Sequence, residues 1–146
     1  ISVKSSNLKP INASKKYYVN STDEYPILFV IAALTKGISK FYGIGDLANK
    51  ESNRIKEMQK ILKQIGVKST ATKNQLKIFG KGMINARNKM IIVPNLGDHR
   101  ICMSSFVLGL LTGAKVKIKN FETVFTSSPS FLKVMKELGA KFEIQS

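Results

Sequence analysis

Two segments of the chain are apolar on every side, and two others are apolar on one side only. Residues 27–34 and 101–111 contain no charged side chain, which predicts helices that are buried along their length. In residues 51–65, apolar side chains recur at spacings of three and four, which is the pattern of an amphipathic helix. A similar one-sided pattern with Phe131, Met135 and Leu138 follows Ser127-Ser128-Pro129, a favourable helix start. Buried and amphipathic helices are therefore predicted to alternate.

Short segments rich in β-branched and aromatic residues lie between these helices and predict strands. These segments are residues 16–19, 38–42, 67–71, 75–79, 90–93, 115–119 and 141–145. Glycines follow the helices at the points where each is expected to end, which are Gly37, Gly66, Gly113 and Gly139. Residues 80–89 are predicted to be a connecting segment between the strands at 75–79 and 90–93.

The second half of the chain repeats the order of the first at an offset of 73 to 76 residues. Gly37 corresponds to Gly113, and Gly66 corresponds to Gly139. We therefore predict an α/β (α+β) fold of repeated β-α-β-α-β-(β) units, the first in residues 1–85 and the second in residues 86–146. Since each unit has one fully buried helix, the helices are expected to form a buried layer with the sheets outside it.

Charge adds a preference for anionic partners. Lys and Arg number 24 against 9 Asp and Glu, which gives a net charge of +15. Such a surface favours nucleic acid, acidic membranes or phosphorylated small molecules. The lysines are scattered, however, and no basic stripe interleaved with aromatic residues stands out. The single cysteine, Cys102, excludes an internal disulfide, fits a reducing compartment and is expected to be a small core residue.

The hydrophobic content and the lengths of the apolar runs argue against a disordered or a membrane-spanning protein. The hydrophobic content of 43% indicates a packed core. No apolar run approaches the roughly 20 residues that span a bilayer, and no secretory signal is present. Because the chain begins at Ile1 and not at Met, we expect it to be a piece of a longer or processed protein.

Polar clusters precede each predicted helix, and they are the candidates for chemistry. They are Asp23-Glu24, Lys50-Glu51-Ser52-Asn53-Arg54, Asp98-His99-Arg100 and Thr126-Ser127-Ser128. Unpaired N–H groups at helix N-termini attract anions, so a pseudo-symmetric packing would gather these clusters into one face that binds phosphates or carboxylates. Such a face could also move protons.

Each cluster also has a purely structural interpretation. Asp23 could be an N-cap, and Glu51 could interact only with a helix dipole. Lys50 and Arg54 could be a solvated face, and His99 could pair with a cap. A purely structural interpretation fits Arg100 less well, because a guanidinium at the N-terminus of an apolar helix needs an anion to balance its charge.

These motifs resemble those of a known enzyme family. The chain has Asp-Glu-Tyr-Pro at 23–26, Lys-Glu-Ser-Asn-Arg at 50–54, Asp-His-Arg-Ile-Cys-Met at 98–103 and Thr-Ser-Ser-Pro-Ser-Phe at 126–131. In order and spacing they are similar to the D-E-x-P, K-E-[ST]-D-R, D-H-R-x-A-M and S-F-P-x-F motifs in the C-terminal part of 5-enolpyruvylshikimate-3-phosphate synthases (3-phosphoshikimate 1-carboxyvinyltransferases). The resemblance extends from about residue 16 to the C-terminus.

The resemblance implies an enzyme of two lobes, each built of three units around buried parallel helices. This chain would be two units of one lobe, a partial inside-out α/β barrel-like domain. Its partner would be the missing N-terminal lobe of the same enzyme. The implied reaction transfers the carboxyvinyl group of phosphoenolpyruvate to the 5-hydroxyl of shikimate 3-phosphate and releases phosphate, a step of aromatic amino-acid biosynthesis. The implied setting is the cytoplasm, with no nucleic-acid or membrane partner.

The resemblance also implies roles for individual residues. Asp23 would hold the shikimate hydroxyls and act as a candidate base, and Glu51 would take part in proton transfer at the enolpyruvyl carbon. Lys50 would contact the shikimate phosphate or orient Asp23. Arg54 and Arg100 would grip phosphoenolpyruvate through charge-assisted hydrogen bonds.

The resemblance implies supporting roles for further residues. Asp98 and His99 would position their neighbours, and His99 could contact substrate. No metal or cofactor is implied. Two positions depart from the family pattern: Asn53 stands where an Asp is common, which puts a supporting salt bridge in question, and Thr126 stands where many members have a lysine that binds phosphoenolpyruvate.

Two alternatives to the enzyme remain open from the sequence. One is a basic nucleic-acid-binding module, suggested by the net charge of +15. The other is a structural repeat subunit of a larger assembly, which would leave the polar clusters dispersed and solvated.

Overall fold

The structure, a computed structural model, describes residue 2 and residues 4–144. Its strands are β1 (Asn12–Ala13), β2 (Gly37–Tyr42), β3 (Lys68–Thr72), β4 (Gln75–Gly80), β5 (Met90–Val93) and β6 (Lys115–Ile118). Its α-helices are α1 (Lys15–Ser21), α2 (Tyr25–Ala33), α3 (Arg54–Gln64), α4 (His99–Thr112) and α5 (Phe131–Glu137). Short 3₁₀ turns occupy Thr22–Glu24, Gly45–Asn49 and Phe121–Val124.

Four strands form the larger sheet, in the order β1-β2-β4-β3. Strand β1 is parallel to β2, whereas β4 is antiparallel to both of its neighbours. Side chains alternate between the two faces, so that Phe41, Leu76 and Ile78 are buried against the helices. Lys40 and Lys77 lie directly opposite each other on the outer face.

This pair of lysines predicts a stabilising substitution. Like charges directly opposite each other in antiparallel strands are unfavourable, whereas opposite charges are favourable. We expect Lys77→Glu to raise the free energy of unfolding by about 0.5–1 kcal/mol in a urea titration. Lys68→Glu is the matched control, because Lys68 lies opposite Phe79 and not opposite a cation. Equal effects of both substitutions would attribute the gain to net charge and not to the pair.

The smaller sheet pairs β5 with β6 in parallel, and Ile91 lies opposite Val116. Helix α4 lies between these two strands in the chain, and α1 and the buried α2 lie between β1 and β2. Gly109 lets α4 approach β6 closely, since a Cβ at this position would collide with the Val116 side chain. Each sheet therefore contains a parallel pair of strands joined by a buried helix.

The two apolar helices form the buried layer that the sequence predicts. Helices α2 and α4 pack against each other, and α3 packs against both. Tyr25, Phe29 and Phe41 stack edge to face, with ring centroids 4.9–5.9 Å apart. Helix α3 buries the apolar face that its spacing predicts, including Met58 and Leu62. The mixed α/β prediction is confirmed, and the described residues do not close into a barrel.

One predicted strand is wrong, because residues 16–19 lie within helix α1. The neighbour position beside β2 is taken instead by Asn12–Ala13, four residues earlier in the chain. Helical spacing lets Tyr18 alone turn inward, with its ring centroid 5.3 Å from that of Tyr25. Tyr17 and Val19 stay exposed. A short run of aromatic and β-branched residues does not distinguish a strand from one helical turn, and here the pairing partner decided.

The C-terminal prediction also fails in part. Residues 141–144 are not a strand, and residue 145 lies outside the described residues. Helix α5 begins at Phe131, three residues beyond the predicted Ser128 cap, and Leu138 is 76% exposed instead of sharing a buried face. Phe106 of α4 contacts Phe131 and Phe142 by edge-to-face packing. No neighbouring strand within the described residues is available to pair with residues 141–144.

Candidate active site

Asp98 joins the starts of two helices. As the N-cap of α4, its Oδ1 accepts hydrogen bonds from the backbone N–H groups of Arg100 at 3.0 Å and Ile101 at 3.3 Å. Its Oδ2 accepts from the Ser52 hydroxyl at 2.8 Å and from Arg54 Nε at 3.0 Å. The carboxylate is fully buried, so every oxygen is committed to a partner.

Arg54 is the centre of the cluster. It is the first residue of α3, and its side chain is only 1% exposed. Beyond its contact with Asp98, Nη1 donates to Asp23 Oδ1 at 3.0 Å and Nη2 donates to Glu51 Oε2 at 2.6 Å. Burial alone would lower the pKa of this guanidinium, but hydrogen bonding to Asp98 and the nearby carboxylates outweigh burial and raise it.

Arg100 extends from α4 toward the same carboxylate. Its Nη2 lies 3.4 Å from Asp23 Oδ2, and its Nη1 lies 3.7 Å from Glu24 Oε1. The Nε group is buried and has no hydrogen-bond partner among the described residues, while the side chain as a whole is 29% exposed. Arg100 is thus a cation that is only partly neutralised and still reaches the surface.

The two arginines set the charge of Asp23. Hydrogen bonding from Arg54 is the main reason that the pKa of Asp23 lies below its usual value, and the charges of Arg100 and Lys50 add to it. Burial opposes this shift. Asp23 therefore stays ionised at neutral pH and accepts hydrogen bonds.

Lys50 is oriented by two residues that the sequence analysis did not identify. Its Nζ lies 3.0 Å from Asp46 Oδ2, which in turn accepts a hydrogen bond from the Tyr18 hydroxyl at 3.2 Å. Burial and then Asp46 raise the pKa of Tyr18 to about 12, and hydrogen bonding from Lys50 lowers the pKa of Asp46. The only sequence signal was the spacing of four between Asp46 and Lys50.

Asn53 has a structural role. It is the N-cap of α3, and its side chain accepts a hydrogen bond from the Lys56 backbone N–H at 3.0 Å. Asn and Asp serve about equally well as N-caps. Asn53 therefore preserves the helix start beside Arg54, although it carries no charge for a salt bridge.

Two predicted site residues make no contact with the arginines. His99 is the first residue of α4 and is half-buried, and its ring makes no hydrogen bond among the described residues. The Thr126 hydroxyl donates to the Thr123 carbonyl at 2.8 Å, within its own loop. That loop is joined to the start of α4 through Thr123, whose hydroxyl donates to the Gly97 carbonyl at 3.3 Å.

Cys102 lies one turn beyond this cluster and is buried as predicted. Burial, with a smaller contribution from Asp98, raises the pKa of its thiol from 9.0 to about 12. Because the thiolate is the reactive form, the native thiol should react with Ellman's reagent at pH 8 at least about 100-fold more slowly than the same protein in guanidinium chloride. Equal rates in the two conditions would contradict this assignment.

The arrangement suits anion binding and proton transfer. Lys50, Arg54 and Arg100 surround Asp23 and Glu51, and the five side chains come from three separate helix starts and their flanking turns. Among residues 4–144, no group of three or more His, Cys, Asp and Glu side chains could hold a metal ion. In the same part of the chain, no helix is both long and apolar enough to cross a membrane.

Comparison with known proteins identifies the family. The family model for EPSP synthase (3-phosphoshikimate 1-carboxyvinyltransferase) matches residues 3–135. The chain belongs to this family. A relative named 3-phosphoshikimate 1-carboxyvinyltransferase from Zymomonas mobilis is 38% identical over 99% of the chain. One of the same name from Paramagnetospirillum magneticum is 36% identical over 95% of the chain.

A solved structure of the family shares the fold. EPSP synthase from Acinetobacter baumannii superimposes on 96% of the chain with a TM-score of 0.85 and 32% sequence identity. The chain covers 32% of that structure and 31–32% of the two relatives. It therefore spans about a third of the length of the proteins that it matches.

Proposed function

We propose that this chain contributes part of the catalytic lobe of an enzyme that transfers the carboxyvinyl group of phosphoenolpyruvate to the 5-hydroxyl of shikimate 3-phosphate. The observation that carries the proposal is the buried Arg54, which holds Asp98, Asp23 and Glu51 together while Arg100 remains partly exposed. The family model that matches residues 3–135, and the relatives that match the chain, bear the name of this activity. A dispersed, solvated arrangement, as a purely structural subunit would have, does not fit this convergence.

The reaction consists of an addition and an elimination. In the addition, the 5-hydroxyl oxygen bonds to C2 of phosphoenolpyruvate, its proton leaves to a base, and C3 gains a proton to become a methyl group. In the elimination, C3 loses a proton and the C2–O bond to phosphate breaks, which restores the double bond. Both halves need an acid and a base beside the same two carbons, and a fixed positive charge for the phosphate and carboxylate.

Asp23 and Glu51 are the proposed proton carriers. Asp23 is ionised, lies beside the open edge of the cluster and can accept the proton or a hydrogen bond of a substrate hydroxyl. Glu51 is about half exposed, with its Oε2 on Arg54 and its other oxygen free of any contact with that guanidinium. It is proposed to transfer the proton at C3.

Lys50 and Arg100 are the proposed anion-binding groups that face solvent. Nε of Arg100 has no hydrogen-bond partner among the described residues and the side chain is partly exposed, so an incoming carboxylate or phosphate would complete its hydrogen bonding. Lys50 is proposed to bind the phosphate of shikimate 3-phosphate. Arg54 is proposed to bind phosphoenolpyruvate as well. It already donates three hydrogen bonds and is only 1% exposed, so its two remaining N–H groups can reach a substrate only after a neighbouring side chain moves.

Asp98, His99 and Thr126 are proposed to act around this centre. Asp98 fixes Arg54 and the start of α4. His99 is adjacent to Arg100 and has a ring free of hydrogen bonds among the described residues, so it is available to a substrate. Thr126 lies in the loop joined to the same helix start, where many relatives carry a lysine.

The complete enzyme is proposed to hold a second lobe that closes over this face and excludes water. Within the chain, we propose that residues 1–85 and 86–146 are successive repeat units of one lobe. The cytoplasm is the proposed compartment, because both substrates are phosphorylated metabolites and Cys102 is unpaired.

Turnover by the full-length gene product tests the function. The expected result is release of inorganic phosphate that requires both phosphoenolpyruvate and shikimate 3-phosphate. Shikimate without its phosphate is the matched control, and it should support little release because Lys50 then lacks its ligand. A folded full-length protein that releases no phosphate with both substrates would overturn the proposal.

A further inference from the structure

The outer face of the larger sheet carries cations and aromatic rings but no carboxylate. We define the outer sheet face by the outward residues of β2, β4 and β3, which are Ile38, Lys40, Tyr42, Gln75, Lys77, Phe79, Lys68, Thr70 and Thr72. The buried residues Ser39, Phe41, Leu76 and Ile78 alternate with them on β2 and β4, which establishes the sides of these two strands, and the register with β4 places Lys68, Thr70 and Thr72 of β3 on the same face.

The pairing register arranges these side chains in rows across the strands. One row contains Lys40, Lys77 and Thr70, and the next contains Ile38, Phe79 and Lys68. Tyr42 begins a third row. Two aromatic rings and an exposed isoleucine are therefore interleaved with three ammonium groups on one surface.

The three lysines have no internal counter-charge. None of them forms an ion pair with another of the described residues. Every charged side chain between Met58 and Gly97 is a cation. Exposed lysines at the two ends of the sheet, including Lys36, Lys73 and Lys81, extend the positive potential. Lys40 and Lys77 even lie directly opposite each other, at a cost in stability that an anion would relieve.

We propose that the outer sheet face binds single-stranded nucleic acid, with lysines on the phosphates and the rings of Tyr42 and Phe79 stacked on bases. Single strands are held by a positively charged surface together with aromatic side chains that accept any base. An open sheet that presents both is one of the common ways to bind unpaired nucleotides. This site is separate from the proposed active site, since none of its residues belongs to the arginine and carboxylate cluster.

Other polyanions fit this face less well. An acidic membrane would bind the lysines but would gain little from rings that lie within a sheet and are only partly exposed. A duplex would offer phosphates but no unstacked bases. The combination of rings and cations therefore favours single-stranded nucleic acid. Binding to acidic vesicles and to a duplex is measured in the same test.

The test measures binding of fluorescein-labelled oligouridylate of about a dozen nucleotides to the full-length protein by fluorescence anisotropy. We expect saturable binding at physiological salt. The triple variant K40Q/K68Q/K77Q should bind at least about tenfold more weakly and reduce the salt slope, d log K/d log[salt], by about 2 in magnitude. The variants Tyr42→Leu and Phe79→Leu, which keep apolar bulk, should each weaken binding about fivefold or more.

The matched control removes the same charge from the other sheet. Lys115, Lys117 and Lys119 are exposed on or just after β6, with no aromatic residue in either strand of that sheet. K115Q/K117Q/K119Q should leave binding within about twofold of the wild type. Equal loss in both triple variants would overturn the proposal, because binding would then reflect net charge alone.

Two further arms distinguish the partner. A duplex of matched length should bind more weakly and should not respond to Tyr42→Leu. Wild type and Phe79→Leu should bind with equal affinity to vesicles of phosphatidylcholine that contain a minority of phosphatidylserine. Absence of single-strand binding, or tighter binding to duplex or to vesicles through the same lysines, would overturn the assignment. Phosphate release should be unchanged in K40Q/K68Q/K77Q. Nucleic-acid binding and the proposed enzymatic activity can therefore be confirmed or refuted separately.

Discussion

Arg54→Met should lower the free energy of unfolding by about 3–5 kcal/mol. Methionine fills most of the space of the arginine stem but leaves the buried Asp98 without its cation, and it releases Asp23 and Glu51 from their shared partner. The cost comes mainly from the uncompensated buried carboxylate. Urea unfolding of the full-length protein, followed by far-ultraviolet circular dichroism, measures the change.

A second substitution separates this cause from a loss of packing. Asp98→Asn keeps an oxygen for the cap of α4 but removes the buried charge. The double variant of Arg54→Met with Asp98→Asn should therefore be less destabilised than the sum of the two single variants, with a coupling energy of about 1–3 kcal/mol. Arg87→Met, on an exposed arginine in the connector, should change stability by no more than about 0.5 kcal/mol. Simple additivity in the double variant would argue against the ion-pair explanation.

Arg100→Ala should lower kcat/KM of the full-length enzyme by about 10- to 200-fold while the protein stays folded. A charge-assisted hydrogen bond to a substrate anion contributes about 1.5–3 kcal/mol, which corresponds to this range. Stability should fall by no more than about 1 kcal/mol, because the contacts of Arg100 with Asp23 and Glu24 are exposed ion pairs. Phosphate release at varied phosphoenolpyruvate and varied shikimate 3-phosphate measures the effect on each substrate.

The pattern across substrates and variants tests the role. The KM for phosphoenolpyruvate should rise more than that for shikimate 3-phosphate, and Arg100→Lys should recover part of the loss because it keeps the charge but not the fork of donors. Arg87→Ala is the matched control and should retain full activity. Turnover and KM close to the wild type in Arg100→Ala would remove this residue from the anion-binding site.

Charge at this site and charge on the outer sheet face serve different purposes. At the helix starts, the buried carboxylate of Asp98 and the partly exposed carboxylates of Asp23 and Glu51 hold Arg54 in a fixed geometry, so this charge needs little reorganisation when an anion binds. On the outer sheet face, the lysines are long, at least partly exposed, and form no ion pair within the part of the chain that the structure describes. The cations behind the net charge of +15 therefore include both the arginines of a compact site and the lysines of a broad surface.

Much of the core was predictable from the sequence because local patterns and packing agree. Helices α2 and α4 are apolar, which placed them in the core, although Ile31, Leu110 and Leu111 are 38%, 45% and 54% exposed and not buried as predicted. The spacing in α3 placed its buried face correctly. Gly66 and Gly113 have positive φ angles of 80° and 72°, which is why helix ends could be assigned to them. The sequence placed the polar cluster of residues 98–100 at the start of an apolar helix, and the structure shows that Asp98 is the N-cap of that helix.

Tertiary structure alone decided the rest, because the deciding partners are distant in the chain. Whether residues 16–19 or 12–13 pair with β2 depended on competition for one strand edge. Tyr18, which donates a hydrogen bond to Asp46 beside Lys50, comes from a segment 28 residues earlier in the chain than Asp46. The outer sheet face was not evident from the sequence, since its lysines and rings are spread over three strands and meet only through the register of those strands. Local periodicity determines which side of an element is buried, whereas the partners of that element, and so the chemistry of a site, depend on long-range packing.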